Sequence, residues 1–279
     1  MRRYLICTDL DRTLIPNGAQ PESPGARALF GKLAGREDVA LAYVSGRHLA
    51  LVEQAIVEYA LPQPDFVIAD VGATIYRGED SGWRQWAAWD EHIGQDWKGW
   101  THDGLAGLLS DLPALRLQEA VKQHRHKLSY YVELDDGVPQ LLATIGTLLH
   151  SKAIQANLIW SLDEAVGAGL LDVLPARANK LHAIRFLMRE QGFGREYTVF
   201  AGDSGNDLDV LLSDIQAVLV ANADAAVQAS AAAGDKAALY LATGAYLGMN
   251  GNYSAGILEG VAHYRPELDG WLRMASGKG

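Results

Sequence analysis

Residues 4–13 read Tyr-Leu-Ile-Cys-Thr-Asp-Leu-Asp-Arg-Thr. The apolar run at the start of this stretch predicts a strand that is buried on both faces. Two carboxylates, Asp9 and Asp11, and the hydroxyl of Thr13 follow. A divalent cation is the usual partner of two such close carboxylates, although Asp is also common in turns and helix caps. Because ligands bind at the carboxyl ends of parallel strands, we expect this stretch to lead into the functional site.

The composition is that of an acidic globular protein. The 24 Lys and Arg residues against 34 Asp and Glu residues give a net charge of −10, and 49% of the chain is hydrophobic. This balance argues against binding to nucleic acid or to an anionic membrane surface. The single cysteine, Cys7, excludes an internal disulfide and fits a reducing compartment. Since no uninterrupted apolar stretch is long enough to span a bilayer, we expect a soluble, cytoplasmic protein. We also expect it to be a monomer.

Short apolar runs alternate with helical patterns at the start of the chain and again towards its end. This alternation is typical of βαβ units and predicts an α/β fold with a Rossmann-like parallel sheet. The predicted strands are residues 4–7, 39–43, 66–69, 170–174, 198–201 and 217–220, and the predicted helices between them include 25–33, 49–59, 181–188 and 208–212. The Ala-rich tail that follows is predicted to form helices that pack on the sheet.

The middle of the chain has a different character. Five of the seven tryptophans lie within residues 82–100, and most of them are interpreted as packing residues. The segments that follow predict a small α+β insert, with helices over residues 101–109 and 138–149 and strands over 115–119, 127–134 and 154–161. We therefore predict a catalytic core of residues 1–80 and 170–279, with an inserted cap domain of residues 81–169 that sets substrate specificity.

Chemically distinctive residues follow three of the predicted strands. Besides the first stretch, these are Ser45, Gly46 and Arg47 after the second run and Asp203, Asn206 and Asp207 after a later one, with Lys180 at the start of a helix. If the strands are parallel neighbours, these residues converge at one edge of the sheet. Several carboxylates suit Mg²⁺, whereas an ammonium group, hydroxyls and backbone N–H groups suit a phosphate. This combination favours phosphoryl transfer.

Several of these sequence segments resemble the motifs of a known protein superfamily. Asp9-Leu10-Asp11-Arg12-Thr13, Ser45-Gly46-Arg47, Lys180 and the run from Gly202 to Asp207 resemble, in order and spacing, the four motifs of the haloacid dehalogenase superfamily. The position of the insert between the second and third motifs is typical of the branch with a large α/β cap. Further strings are similar to the sucrose-phosphatase family: residues 5–14, 43–48, 126–131, 172–175 and 252–257.

The resemblance implies a role for each matching residue. Asp9 would attack phosphorus, and Asp11 would protonate the leaving sugar oxygen and then activate water. The remaining roles are phosphate binding by Thr13, Ser45, Gly46, Lys180 and Asn206, Mg²⁺ binding by Asp9, Asp11 through its backbone carbonyl, Asp203 and Asp207, and substrate binding by Arg47 and Lys127. Arg47 could instead pair with a surface acid. Asp70 could reach the same edge of the sheet, but a turn-capping role is favoured for it.

The resemblance implies a Mg²⁺-dependent phosphatase that hydrolyses a phosphorylated disaccharide, and sucrose 6-phosphate is the favoured substrate. Mannosylfructose, glucosylglycerol or glucosylglycerate phosphate, or a phosphomannomutase reaction, are alternatives, and a sugar-phosphate synthase is a possible partner. A non-enzyme alternative is a phospho-acceptor or a partner module of a glycosyltransferase. A receiver domain is much shorter, and a degenerate module would be expected to lose Asp9 or Asp11, both of which are present.

Overall fold

The larger of two sheets has eight strands and is built around the first of them. The computed structural model describes residues 3–134, 137–163, 167–233 and 238–277. The strands are β1 Tyr4–Thr8, β2 Val39–Val44, β3 Phe66–Ala69, β4 Thr74–Glu79, β5 Gly82–Gln85, β6 Leu115–Leu117, β7 Leu128–Val132, β8 Ala156–Asp163, β9 Ala168–Pro175, β10 Thr198–Gly202, β11 Gln216–Leu219 and β12 Leu239–Leu241. The α-helices are α1 Ala26–Ala34, α2 Leu49–Glu58, α3 Ala87–Gly94, α4 His102–Leu109, α5 Val138–Ser151, α6 Lys180–Gln191, α7 Leu208–Leu211, α8 Ala225–Ala233, α9 Ser254–Tyr264 and α10 Pro266–Ala275.

The strands of this sheet follow the order β12-β11-β10-β1-β2-β3-β4-β5. The pairs from β12 to β3 are parallel, and β4 and β5 are antiparallel to their neighbours. Strand β1 lies between β10 and β2, so Thr8 pairs with both Ala201 and Tyr43. The carboxyl ends of these three strands therefore meet at one edge. The predicted Rossmann-like α/β fold is confirmed.

The core lies on both faces of this sheet. Every residue of β1 is buried, with Tyr4 and Ile6 packed on one face and Leu5 and Cys7 on the other. Helices α1, α9 and α10 contribute to the first layer, and α6, α7 and α8 to the second. Cys7 is a buried free thiol, which agrees with its interpretation as a small core residue.

A second, antiparallel sheet has the order β6-β7-β9-β8. Its apolar face packs with α4 and α5 around a separate core that contains Trp97, whereas Trp89 belongs to the core of the larger sheet. Both indoles are fully buried, so their interpretation as packing residues holds. In the part of the chain that the structure describes, no helix combines the length and apolarity needed to cross a membrane.

The two sheets do not divide the chain at residues 81 and 169, where the boundaries between core and insert were predicted. Strand β5 pairs with β4 in the larger sheet, and β9 pairs with β7 and β8 in the smaller one. The run 170–174 was expected to be a core strand, but its side chains alternate between the two faces of the smaller sheet, which a short apolar run does not reveal. We keep the division into a core and an inserted cap as a proposal.

The sequence also missed a hairpin and one further strand. Strands β4 and β5 form an antiparallel hairpin that was not predicted, and β12 extends the parallel sheet within a tail that was expected to be helical. Ala is a poor strand former, so its abundance in the tail favours helix and hides the short run Leu239–Leu241. Residues 234–237 of that tail lie outside the described residues.

Candidate active site

The loop after β1 places Asp9 at the carboxyl edge of the larger sheet. Its backbone N–H donates to the carbonyl of Ala201 at 2.9 Å, which extends the pairing of β1 with β10 by one residue. Its side-chain Oδ1 accepts the backbone N–H of Leu10 at 2.8 Å. The carboxylate is therefore held at Oδ1 by the next backbone N–H in a buried position, and its Oδ2 faces Lys180.

Lys180 lies between two of the carboxylates. Its Nζ is 2.7 Å from Asp207 Oδ1 and 3.2 Å from Asp9 Oδ2, and the residue is 3% exposed. Helix α6 begins at Lys180, and the side chain of Asn179 caps it by accepting the backbone N–H of His182. Burial alone would lower the pKa of Lys180, but the charges of Asp207 and Asp9 raise it, so the ammonium stays protonated.

The loop after β10 supplies Asp203 and Asp207. Asp207 Oδ2 accepts the backbone N–H groups of Asp203 and Ser204 at 3.1 and 3.0 Å, and also the Ser204 hydroxyl. Gly202 is required here, since a Cβ at that position would lie 2.6 Å from Asp207 Cγ. The hydroxyl of Thr13 donates to Asp203 Oδ1 at 3.0 Å, which links this loop to the first one.

Three carboxylates form a cluster with the donor set of a cation site. One oxygen each of Asp9, Asp203 and Asp207 lies within 4.8 Å of the others, and all three residues are buried. Burial, together with the charge of Asp207, raises the pKa of Asp203 to about 6. Burial also raises the pKa of Asp9 to about 7, despite the opposing charge of Lys180. Buried oxygen ligands with uncompensated negative charge fit a hard divalent cation.

Asp11 lies outside this cluster and is ion-paired. Arg47 Nε and Nη2 donate to its two oxygens at 2.8 and 2.6 Å, and Asn17 Nδ2 donates at 2.7 Å. Burial would raise the pKa of Asp11, but these donors outweigh burial and lower it. The predicted acid/base and the predicted substrate residue are therefore partners of each other in this structure.

The other predicted phosphate residues occupy the same edge. Ser45 is buried, and its Oγ accepts the backbone N–H of Arg47 at 3.2 Å. Gly46 and Asn206 are exposed on their loops. Lys127, which was predicted to bind substrate from the insert, places its Nζ 2.8 Å from Asp70 Oδ1. The structure thus brings residues from β1, β2, β10 and α6 together, with Lys127 approaching from the second sheet.

Two residues near the site, Arg12 and Asp70, make charge contacts that the sequence did not indicate. The Arg12 guanidinium lies 3.3 Å from Asp203 Oδ2 and 2.6 Å from Asp224 Oδ1, so it shields one carboxylate of the cluster. Asp70 is fully buried and its side chain is ion-paired with Lys127, which agrees with the alternative that it reaches this edge rather than with the favoured turn-capping role. Its position directly after β3 was the available signal, because the preceding strands also end in site residues.

A parallel sheet whose strands end in a buried carboxylate cluster, with a lysine between two of its members, matches the motifs expected of the haloacid dehalogenase (HAD) superfamily, and the comparison with known proteins places this protein among the phosphatases of that superfamily. The chain belongs to the sucrose-6F-phosphate phosphohydrolase family, whose model matches residues 2–265. The predicted family and the predicted enzyme class, a sugar-phosphate phosphatase, are thereby confirmed.

Individual relatives agree with this family. A HAD-like hydrolase of Nitrosococcus oceani, named only at that level, is 53% identical over 275 residues, which are 97% of this chain and 74% of that protein. Sucrose-phosphatase 1 of Nicotiana tabacum is 30% identical over 79% of this chain, and the match spans about half, 51%, of that longer protein. Mannosylfructose-phosphate phosphatase of Agrobacterium fabrum is 30% identical over 78% of this chain and 83% of its own length.

Among solved structures, the fold is similar to that of the sucrose-phosphatase from Synechocystis sp. PCC6803, determined in complex with sucrose and phosphate. The TM-score is 0.72, and the match covers 95% of this chain and 98% of the other. At 24% sequence identity this likeness describes the fold.

Proposed function

We propose that this protein is a Mg²⁺-dependent phosphatase that hydrolyses sucrose 6-phosphate to sucrose and phosphate through a phosphorylated Asp9. The observation that carries the proposal is the position of Lys180, whose Nζ contacts both Asp9 and Asp207 inside the carboxylate cluster. A buried nucleophilic carboxylate beside a fixed ammonium group is suited to phosphoryl transfer, which depends mainly on positioning and charge compensation.

The residues that would hold Mg²⁺ are the side chains of Asp9, Asp203 and Asp207, together with the backbone carbonyl of Asp11 that the family resemblance implies. Mg²⁺ bound there supplies positive charge against the phosphoryl oxygens. The raised pKa values of Asp9 and Asp203 support this assignment, because burial and the neighbouring carboxylates disfavour their ionised forms, which a bound cation would stabilise.

In the first half of the reaction, an oxygen of Asp9 attacks phosphorus while the bond from phosphorus to the sugar oxygen breaks. The N–H of Leu10 on Asp9 Oδ1 orients the carboxylate, and the charge of Lys180 favours its ionised form. The hydroxyls of Thr13 and Ser45 are assigned to the phosphoryl oxygens. The product of this half is a phosphoryl group on Asp9.

Asp11 protonates the leaving sugar oxygen and takes a proton from the water that attacks phosphorus in the second half. In the structure Asp11 is held by Arg47 with a lowered pKa, a state that favours the carboxylate over the acid. Asp11 must therefore exchange Arg47 for the substrate before it can donate a proton. Arg47 freed in this way is available to the sugar phosphate, which agrees with its predicted substrate role.

The choice of sucrose 6-phosphate rests on the family and on the tobacco relative. Mannosylfructose phosphate is the second candidate, because the Agrobacterium fabrum phosphatase of that name is equally similar and matches over more of its own length. The synthase partner, the monomeric state and the cytoplasmic location stay predictions.

The test is phosphate release from a panel of sugar phosphates in the presence of Mg²⁺. The panel contains sucrose 6-phosphate, mannosylfructose phosphate, glucosylglycerol phosphate, glucosylglycerate phosphate, trehalose 6-phosphate and mannose 6-phosphate, with Asp9→Asn as the blank. We expect sucrose 6-phosphate to give the highest kcat/KM, with turnover lost in the variant and in chelator. A higher value for another sugar phosphate would replace the substrate but keep the chemistry, and no turnover on any of them would overturn the proposal.

A further inference from the structure

A buried ion pair joins the larger sheet to the smaller one beside the active site. Asp70 directly follows β3 and is fully buried, yet its partners come from the turn that precedes β7. Lys127 Nζ lies 2.8 Å from Asp70 Oδ1, and His124 Nε2 lies 3.5 Å from Asp70 Oδ2. His124 and Lys127 are themselves linked by paired backbone hydrogen bonds of 3.1 Å. The carboxylate of Asp70 therefore contacts the side chains at both ends of this turn, His124 and Lys127.

The backbone that carries Asp70 is strained. Asp70, Val71 and Gly72 have consecutive positive φ angles of 52°, 58° and 101°. Asp tolerates this region, but a β-branched residue such as Val71 is rarely found there. The turn is held by two hydrogen bonds to the Ser45–Arg47 loop, from the N–H of Asp70 to Arg47 O and from the N–H of Val71 to Ser45 O, both at 3.1 Å. Strain that the surroundings maintain is common at functional sites.

The same turn also contacts the helix that begins with Lys180. A Cβ on Gly72 would lie 2.4 Å from the carbonyl carbon of Asn179 and 2.9 Å from the backbone nitrogen of Lys180, so only glycine permits this approach. Trp89 Nε1 donates to the carbonyl of Gly72 at 3.1 Å and fixes the turn from the other side. Residues 70–72 therefore touch the loop that holds Ser45 and the start of α6 at once.

On the side of the smaller sheet, Lys127 is placed by charge. Its Nζ is 3.6 Å from Asp172 Oδ2, and Asp172 in turn accepts the hydroxyl of Ser129 at 2.5 Å. Burial would lower the pKa of Lys127, but the charges of Asp70 and Asp172 outweigh it and raise the pKa. Lys127 is thus a buried cation, and loss of Asp70 would leave it with only the more distant of its two carboxylate partners.

We propose that Asp70 is a positioning residue, which anchors the 124–127 turn of the smaller sheet to the active-site edge and thereby fixes Lys127 and His124 over the sugar part of the substrate. The turn of residues 70–72 that carries the anchor also contacts the catalytic loops, so it sets the position of the smaller sheet relative to Ser45 and Lys180. The statement about the sugar rests on the proposed function. The anchoring of the 124–127 turn by Asp70 does not depend on that function.

Asp70→Asn is the variant of choice, because Asn keeps the volume and also tolerates a positive φ. We expect kcat/KM for the sugar phosphate that the panel selects to fall about ten- to a hundredfold, mainly through KM, because the cap residues lose their fixed position. The small substrate p-nitrophenyl phosphate has no sugar to position, so its turnover should change by less than about twofold. Asp70→Glu should keep the charge and recover part of the loss.

A second readout is independent of any substrate. Amide hydrogen exchange in residues 119–132 should accelerate about tenfold in Asp70→Asn, because the paired amides of His124 and Lys127 lose their anchor. Glu259→Gln is the matched control, since Glu259 is also a buried carboxylate with several hydrogen bonds, but these come from Tyr240, Thr243 and Gly244 at the other end of the larger sheet. That variant should leave exchange in residues 119–132 and the KM for the sugar phosphate unchanged.

The outcomes separate the two proposals. If the unmodified protein hydrolyses no sugar phosphate but exchange in residues 119–132 still accelerates in Asp70→Asn, the proposed function fails and the anchor stands. If Asp70→Asn leaves both exchange and KM unchanged, or lowers turnover of p-nitrophenyl phosphate as much as that of the sugar phosphate, the anchoring role is overturned. Should Asp70→Asn not fold, Lys127→Met breaks the same ion pair and is judged by amide exchange alone, since Lys127 is itself assigned to the substrate: faster exchange in residues 119–132 supports the anchor, and unchanged exchange overturns it.

Discussion

Arg47 donates two hydrogen bonds to Asp11, one to each carboxylate oxygen, at 2.8 and 2.6 Å. This pair joins the loop after β2 to the loop after β1 and sets the starting state of the proposed acid/base. A bidentate guanidinium–carboxylate pair is among the stronger side-chain contacts, and it favours the ionised form of Asp11. The substrate therefore has to compete with Asp11 for Arg47.

Replacement of Arg47 should change the pH profile as well as the affinity. In Arg47→Gln the pKa of Asp11 rises, because burial is no longer opposed by the guanidinium. The acid form then persists to higher pH, so the basic limb of kcat/KM should move upward. KM should also rise about tenfold from the loss of a charged substrate contact. Steady-state kinetics across pH measures both effects, and an unmoved basic limb would contradict the assignment of Asp11.

The stability of the metal-free protein should fall as pH rises from about 4 to about 7. The pKa of Asp9 is raised to about 7 and that of Asp203 to about 6, both above the ordinary value near 4 of an unfolded chain. The protonated carboxyls contribute their full stabilisation at a pH below the pKa values of the unfolded chain. This contribution is lost as the pH rises through the pKa values of the folded protein. Mg²⁺ should offset the resulting repulsion.

Thermal melts with MgCl2 or with EDTA check this expectation. Because protons and Mg²⁺ compete for the same carboxylates, the rise in Tm caused by Mg²⁺ should be larger at about pH 8 than at about pH 5. Asp203→Asn should reduce the rise at the higher pH. An equal rise at both pH values would place the ion elsewhere.

Lys180→Met should unfold the metal-free protein more easily and abolish turnover. The substitution leaves Asp9 and Asp207 buried without their shared cation, and the loss of one partner in a buried ion pair costs about 3–5 kcal/mol. Urea denaturation in EDTA measures the change, with the exposed Lys152→Met as the matched control. A loss of activity with unchanged stability would show that Lys180 is not the internal counter-ion described here.

Gly202→Ala should damage the carboxylate cluster without altering any charge. The new Cβ would lie 2.6 Å from Asp207 Cγ, so Asp207 must move or the fold must bear about 1–3 kcal/mol of strain. We expect a smaller Mg²⁺-induced rise in Tm. Gly205→Ala in the same loop has open space at its Cβ and should change stability by less than about 0.5 kcal/mol. Equal behaviour of the two variants would argue against the close packing of Gly202 on Asp207.

The sequence predicted the strands that build the site because each is a short buried run with a distinctive end. Strands β1, β2, β3 and β10 lie within a residue of their predicted bounds, and their loops converge as expected. Strand β9 was assigned to the wrong sheet, because an apolar run carries no information about which partner it pairs with. Strand β12 was hidden by the helical propensity of its Ala-rich surroundings.

The contacts between predicted residues could not be read from the sequence. Arg47 lies 36 residues from Asp11, and Lys127 lies 57 residues from Asp70. Such pairs depend on how loops from different strands meet, and local patterns do not encode that geometry. The role of Asp70 was misjudged for the same reason. In the sequence it follows a strand, as many turn residues do, and only the structure shows that it is buried and paired with Lys127.

The central claim, that Asp9 carries the phosphoryl group, is tested most directly by trapping it. Asp11→Asn should still be phosphorylated by sucrose 6-phosphate and Mg²⁺, though slowly, but should not hydrolyse the intermediate, because the base that activates water is gone. Acid quenching, proteolysis and mass spectrometry should then find one phosphate on the peptide that contains residues 4–13, and none when Asp9→Asn is added. Multiple turnover by Asp9→Asn, or phosphate on a different residue, would contradict the account.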